Sequence, residues 1–282
     1  MKLYLCTDLE GVSGVIDFKN YCFFDSRYYE MAKRLLTREV NAAVEGFFQG
    51  GVNEITVMDG HGPGAINPEL LDERVNLLRG HYKKIFPWGL DEGYDAMAVV
   101  GQHAKSNTPF SHLSHTSSPS TYDLTVNGVS IGEYGQMALC AMELGIPTIF
   151  AAGEKAFAAE AEALTPGVVT VWGKRGLLPD DGSPEVSGEE YWDAKLAAEH
   201  VAIGKVHKML TDGARLAAQK YFQDKTQFHY PELHAPFEII NSARRPEKSS
   251  PLGLTCHKGY DDKSYIAALN DLYTWQHKVD RQ

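Results

Sequence analysis

Three short apolar runs, at residues 2–7, 54–58 and 95–101, constrain the fold most, because each stops abruptly at side chains that turn the chain or bind cations. The first is followed by Asp8-Leu9-Glu10-Gly11, the second by Asp59-Gly60-His61-Gly62 and the third by Gln102-His103. Between the first two runs, Tyr29, Ala32, Leu36, Val40, Ala43 and Phe47 step by three or four, which predicts an amphipathic helix over residues 26–50. Ser26 suits its start and Gly50-Gly51 its end. Strand, helix and strand in succession call for a parallel sheet covered by helices.

The rest of the chain extends this pattern. Residues 75–78 read as a short strand, 122–131 as a hairpin turning at Asn127-Gly128, and 132–144 as a helix closed by Gly145 and Pro147. A core strand at 148–152 and a helix at 155–164 follow. Residues 178–190 carry two prolines, two glycines and five acids, so they read as an exposed, inserted loop. Beyond it we expect a long helical stretch over 191–221, broken near Asp212-Gly213, a strand at 237–241 and a helix at 263–277. The expected fold is therefore α/β: a three-layer α/β/α arrangement with a mainly parallel sheet, plus a smaller C-terminal α+β subdomain. Residues 1–175 would form the metal-binding catalytic domain and 176–282 the subdomain, an appendage rather than an independent module.

Composition narrows the function. Acids outnumber bases 37 to 27, a net charge of −10 with no segregated basic face, which disfavours nucleic acid. No run approaches the roughly 18 apolar residues that a membrane span needs. Met1-Lys2-Leu3-Tyr4-Leu5 leads straight into a strand without the features of a secretory signal, so a cytoplasmic location is expected. Cys6, Cys22, Cys140 and Cys256 form no C-x-x-C pair and read as reduced, mostly buried thiols. Neither a P-loop nor a G-x-G-x-x-G is present, which disfavours nucleotides.

In open α/β sheets ligands gather at the carboxyl ends of the strands. Asp8 and Glu10 share one face of an extended chain there, roughly 7 Å apart at Cα, and would repel without a cation between them. Singly, each candidate has a plain structural explanation: Asp8 can cap a turn, His61 and His103 can be ordinary loop histidines, and Glu133 can answer a helix dipole. Jointly they make a ligand set for zinc or a neighbouring transition metal. Asp59 suits a supporting role, orienting His61. The stretch Ser111-His112-Leu113-Ser114-His115-Thr116 offers a histidine for proton transfer beside an activated water. A serine nucleophile is disfavoured because no G-x-S-x-G occurs. A metal-dependent phosphoesterase and a non-catalytic metal-binding protein stand as alternatives. The first is weakened by the lack of an arginine or lysine cluster near these motifs.

Thr7-Asp8-Leu9-Glu10-Gly11, Asp59-Gly60-His61, Gly101-Gln102-His103-Ala104, Leu113-Ser114-His115-Thr116 and Asn127-Gly128 leading to Gly132-Glu133-Tyr134-Gly135 together resemble the zinc-dependent D-aminopeptidases of the DppA type. The resemblance covers about residues 1–175. It implies that Asp8, Glu10, His61, His103 and Glu133 bind a pair of zinc ions, with Asp8 shared, and that His115 is the catalytic histidine. It also implies hydrolysis of small peptides or amides containing D-amino acids, and a homo-oligomer in the form of a ring-shaped homodecamer. His112 and the acidic segment at 178–190 depart from the family pattern and bear on substrate preference. Whether His115 moves a proton or attacks directly stays open at this level.

Overall fold

From Lys2 onward the chain alternates strand and helix. Strand β1 (Lys2–Thr7) leads through a single-turn helix α1 (Phe18–Tyr21) to α2 (Tyr29–Gln49), then to β2 (Glu54–Asp59), β3 (Asn76–Leu78) and β4 (Ala96–Gln102). The hairpin of β5 (Thr121–Val126) and β6 (Val129–Ile131) precedes α3 (Glu133–Glu143), β7 (Thr148–Glu154), α4 (Lys155–Leu164) and β8 (Val169–Gly176). The remainder holds α5 (Gly188–Tyr191), β9 (Ala198–His200), α6 (Ile203–Gln223), β10 (Phe237–Ala243), β11 (Thr255–Asp261) and α7 (Tyr265–Val279). This computed structural model describes residues 1–80, 84–179 and 184–279. His81 and the middle of the acidic segment, 180–183, lie outside the described residues.

The main sheet has the order β3-β2-β1-β4-β7-β8-β9 and is parallel except at its last edge, where β9 runs against β8. Leu5 pairs with Val57 of β2 on one side and with Ala98 of β4 on the other, so β1 is central. The strand order reverses between β1 and β4, and such a switch point opens a crevice at the carboxyl ends. Both faces are buried, which explains why the strands read as unbroken apolar runs. Leu3, Leu5, Val57 and Val100 join one core with α2 and α6. Tyr4, Cys6, Met58 and Val99 join a second core with α3, α4 and α7.

A second, antiparallel sheet of order β11-β10-β5-β6 lies beside the first. Its hairpin turns at Asn127 (φ 48°) and Gly128 (φ 82°), both in the left-handed region, as a tight two-residue turn requires. Strands from either side of residue 175 share both sheets, because β9 joins the first and the β5–β6 hairpin joins the second. Among the described residues no helix is long and apolar enough to cross a membrane.

Two local expectations are corrected. Residues 191–221 are not one broken helix: Ala198–His200 form the edge strand, and α6 runs unbroken through Gly213. That glycine sits where the helix presses on the sheet, since a Cβ there would collide with Val171 and crowd Phe150. Ser26 does not cap α2, because its hydroxyl donates to the Lys19 carbonyl and accepts from the Phe23 amide.

Candidate metal centre

At the switch point the loops after β1 and β4 are pressed together. The Asp8 amide donates to the Val100 carbonyl (3.0 Å) and the Gly11 amide to the Gly101 carbonyl (2.7 Å). Only glycine fits on both sides of this crossing: a Cβ on Gly11 would overlap the Gln102 carbonyl, and one on Gly101, at φ 82°, would overlap the Asp8 carbonyl. The crossing sets Asp8 and Glu10 beside His103, while the end of β2 brings His61 from the other side.

All six predicted side chains meet there. His61 Nδ1 lies 3.3 Å from Asp8 Oδ1 and 3.2 Å from Glu10 Oε2. His103 Nε2 lies 3.1 Å from Asp8 Oδ2 and 3.5 Å from Glu133 Oε1, and His115 Nε2 lies 3.6 Å from that same oxygen. Asp8 thus faces a histidine with each carboxylate oxygen. The Leu9 amide (2.9 Å) and the Gln102 side-chain amide (2.8 Å) hold it in that pose. Glu133 opens α3 and accepts from the Ser117 amide at 2.7 Å, while the Ser117 hydroxyl is bonded to Tyr273 at the same distance. The rings of His103 and His115 stack at 4.0 Å.

The outer nitrogen of each imidazole faces a backbone carbonyl: His61 Nε2 that of Cys22 (2.8 Å), His103 Nδ1 that of Ala104 (2.9 Å) and His115 Nδ1 that of Leu113 (3.0 Å). A carbonyl accepts only, so the outer nitrogen carries the proton and the inner one of a neutral ring presents a lone pair. Lone pairs then face carboxylates, and Glu10 Oε2 and His103 Nε2 are buried with no hydrogen-bond partner. A divalent cation resolves this conflict, and nitrogen and oxygen donors in this mixture fit zinc. The donor atoms of Asp8, Glu10 and His103, and those of His103, His115 and Glu133, each lie within 4.8 Å of one another.

Without a cation, protonation of the imidazoles is the other way to relieve the conflict, and the electrostatics show how strongly the acids demand positive charge here. Burial would raise the Asp8 pKa, but His103 and His61 outweigh it and hold the carboxyl well below its usual range. Burial likewise opposes protonation of His61 and His103, yet the facing carboxylates push both well above the ordinary imidazole value. His115 moves the other way, lowered by burial and by neighbouring His103. It is therefore the imidazole kept neutral, with Nε2 ready to accept a proton.

A cavity of about 310 Å³ opens above the cluster. Its walls are Phe23, Ile85, Phe86 and Trp88 together with Trp192 and Tyr273, none of which the periodicity of the chain had singled out. The available signal was the close spacing of aromatics in Phe23-Phe24, Phe86-Pro87-Trp88 and Tyr191-Trp192. Asp59 does not orient His61: its carboxylate accepts from the Ala65 and Ile66 amides and pairs with Arg79, shaping the 61–66 loop. Ser111 and Ser114 are buried with Lys195 and Tyr191 beneath the loop that carries His115. His112 turns to the Ile16 carbonyl and His200. The cysteines are free, with Cys6, Cys22 and Cys140 buried and Cys256 exposed. Burial, first of all, and then Glu10 raise the Cys22 thiol well above its usual pKa, which argues against a nucleophile.

Residues 1–180 match a peptidase family described as D-aminopeptidase. A D-aminopeptidase of Bacillus subtilis (strain 168) is 33% identical over 174 residues, covering 60% of this chain and 62% of that protein, so the match spans less than two thirds of the relative. The solved structure of the Zn-dependent D-aminopeptidase DppA from Bacillus subtilis, a self-compartmentalizing protease, superposes with a TM-score of 0.80 at 24% identity, over 100% of this chain and 99% of that one. That likeness establishes the expected α/β fold.

Proposed function

Because the chain belongs to the D-aminopeptidase family of peptidases, we propose that it is a zinc-dependent aminopeptidase that hydrolyses small peptides or amides bearing a D-amino acid. The observation that carries the proposal is the Asp8 carboxylate gripped between two inward-facing imidazoles, His61 and His103, in a crevice lined by further acids. Two zinc ions would be held, with Glu10 and His61 on one side of Asp8 and His103 and Glu133 on the other. When bound, zinc supplies Lewis-acid polarisation of the amide carbonyl and a stronger water nucleophile at neutral pH.

The chain's own residues do the rest. Gln102 and the Leu9 amide keep both oxygens of Asp8 aimed at its histidines. Neutral His115, its Nδ1 tied to the Leu113 carbonyl, takes a proton at Nε2 from the attacking water and returns it to the leaving amine. Among the described residues that line the cavity there is no lysine or arginine, so a phosphate would find no cationic side chain, which counts against the phosphoesterase alternative. A homo-oligomer, decameric as the family resemblance implies, and a cytoplasmic location complete the proposal.

The test is turnover of D-Ala and L-Ala peptide amides by zinc-reconstituted protein. Faster release from the D series is expected. Equal rates would remove the stereochemical assignment, and no release from either would overturn the hydrolase itself.

A further inference from the structure

The floor of the cavity is acid and histidine, but two of its walls are aromatic. On one wall Phe23 and Trp192 meet edge to face at 5.4 Å, and Trp192 packs on buried Phe18 at 4.4 Å. This wall abuts the reacting end, since the His115 ring lies 5.4 Å from Phe18 and 6.5 Å from Trp192. On the other, Phe86 and Trp88 stack at 5.3 Å with planes 15° apart. Trp192 and Phe23 are half-buried and face the cavity. Trp192 also lies beyond residue 180, where the family match ends.

We propose that this cavity selects substrates with a large apolar or aromatic side chain beside the cleaved bond, and that Trp192 sets the preference. The inference rests on the hydrolase reading above and deepens it by naming the substrate class. An alanine methyl group would leave the faces of Phe23 and Trp192 in water, whereas a phenyl or isobutyl group would cover them. At roughly 25 cal/mol per Å² of apolar surface, covering some tens of Å² favours the larger side chain on the order of tenfold in kcat/KM.

Zinc-loaded wild-type protein, Trp192→Ala and Trp192→Phe are assayed on the D-Phe, D-Leu and D-Ala amides, with zinc content and thermal melting measured on each protein. In wild type the Phe amide should exceed the Ala amide about tenfold. Trp192→Ala should lose at least about fivefold more on the Phe amide than on the Ala amide, and Trp192→Phe should retain most of the discrimination. Wild-type hydrolysis of the Ala amide as fast as the Phe amide would overturn the inference while leaving the hydrolase intact. Parallel losses on both amides in Trp192→Ala would do the same. Failure of wild type to cleave any amide would sink the hydrolase reading and this inference with it.

Discussion

Two clusters of buried charge lie close together in this protein, one under the cavity and one behind the loop that follows β1. In the rear cluster Lys174 is fully buried and donates to the Val15 carbonyl at 3.0 Å. Glu39 accepts from the Ser13 amide at 3.0 Å, and Glu154 accepts from the amides of Ala156, Phe157 and Gly176. Ammonium, carboxyl groups and backbone dipoles answer one another there. Under the cavity the acids instead face the inner nitrogens of imidazoles, a pairing that only a cation or added protons satisfy. The pKa directions separate the two: burial prevails in the rear, lifting Glu39 to about 8 and lowering Lys174 to about 8, whereas the partner's charge prevails at the front, holding Asp8 down. Buried charge marks a site when its partners are the wrong ones and space lies above it.

The largest contrast between the clusters should be catalytic. Asp8→Ala should lower kcat/KM by roughly a thousandfold or more and strip zinc, while Glu39→Gln should stay within about threefold of wild type. Steady-state kinetics with metal analysis checks both, and the reverse ranking would dissolve the distinction. Next, His115→Ala should lose about 10²- to 10⁴-fold in kcat with zinc content retained, as removal of a proton-transfer group predicts. Loss of zinc along with activity would make His115 a ligand instead.

Stability should separate the clusters too. Ligand binding at about a thousandfold over Kd stabilises by about 4 kcal/mol, so a chelator should lower the wild-type Tm by about 10 °C and leave Asp8→Ala unmoved. Calorimetry with and without zinc decides it. The smallest effect is in pH. The folded Glu39 carboxyl titrates near 8, above its ordinary 4.5, so the folded state holds that proton longer and stability falls as pH rises from about 4.5 to 8. Glu39→Gln removes this loss, so its Tm relative to wild type should climb by a few degrees between pH 5 and 8. A constant difference across that range would show that Glu39 does not titrate there.

How much of this was legible in the sequence follows the range of the forces involved. Strands β1, β2 and β4 and helix α2 declare themselves through local period, and the proposed ligands sit within a few residues of strand ends, where topology alone converges them. Asp8, Glu10, His61 and His103 could be read for that reason. Residues 198–200 could not, because Ala198–His200 become a strand only by pairing with β8. Nor could the wall: Trp192 reaches His115 across a distance in sequence that no periodicity spans. Gly213 resembles a helix break for a related reason, since its cause lies in Val171 and Phe150 on the sheet rather than in its own helix.

The paired grip of Asp8 is tested most directly by zinc stoichiometry, measured by elemental analysis after reconstitution and dialysis of wild type and of Asp8→Ala. Two equivalents per chain in wild type, falling below one in the variant, is the predicted result. A single equivalent or none in wild type, or two retained without Asp8, would contradict it.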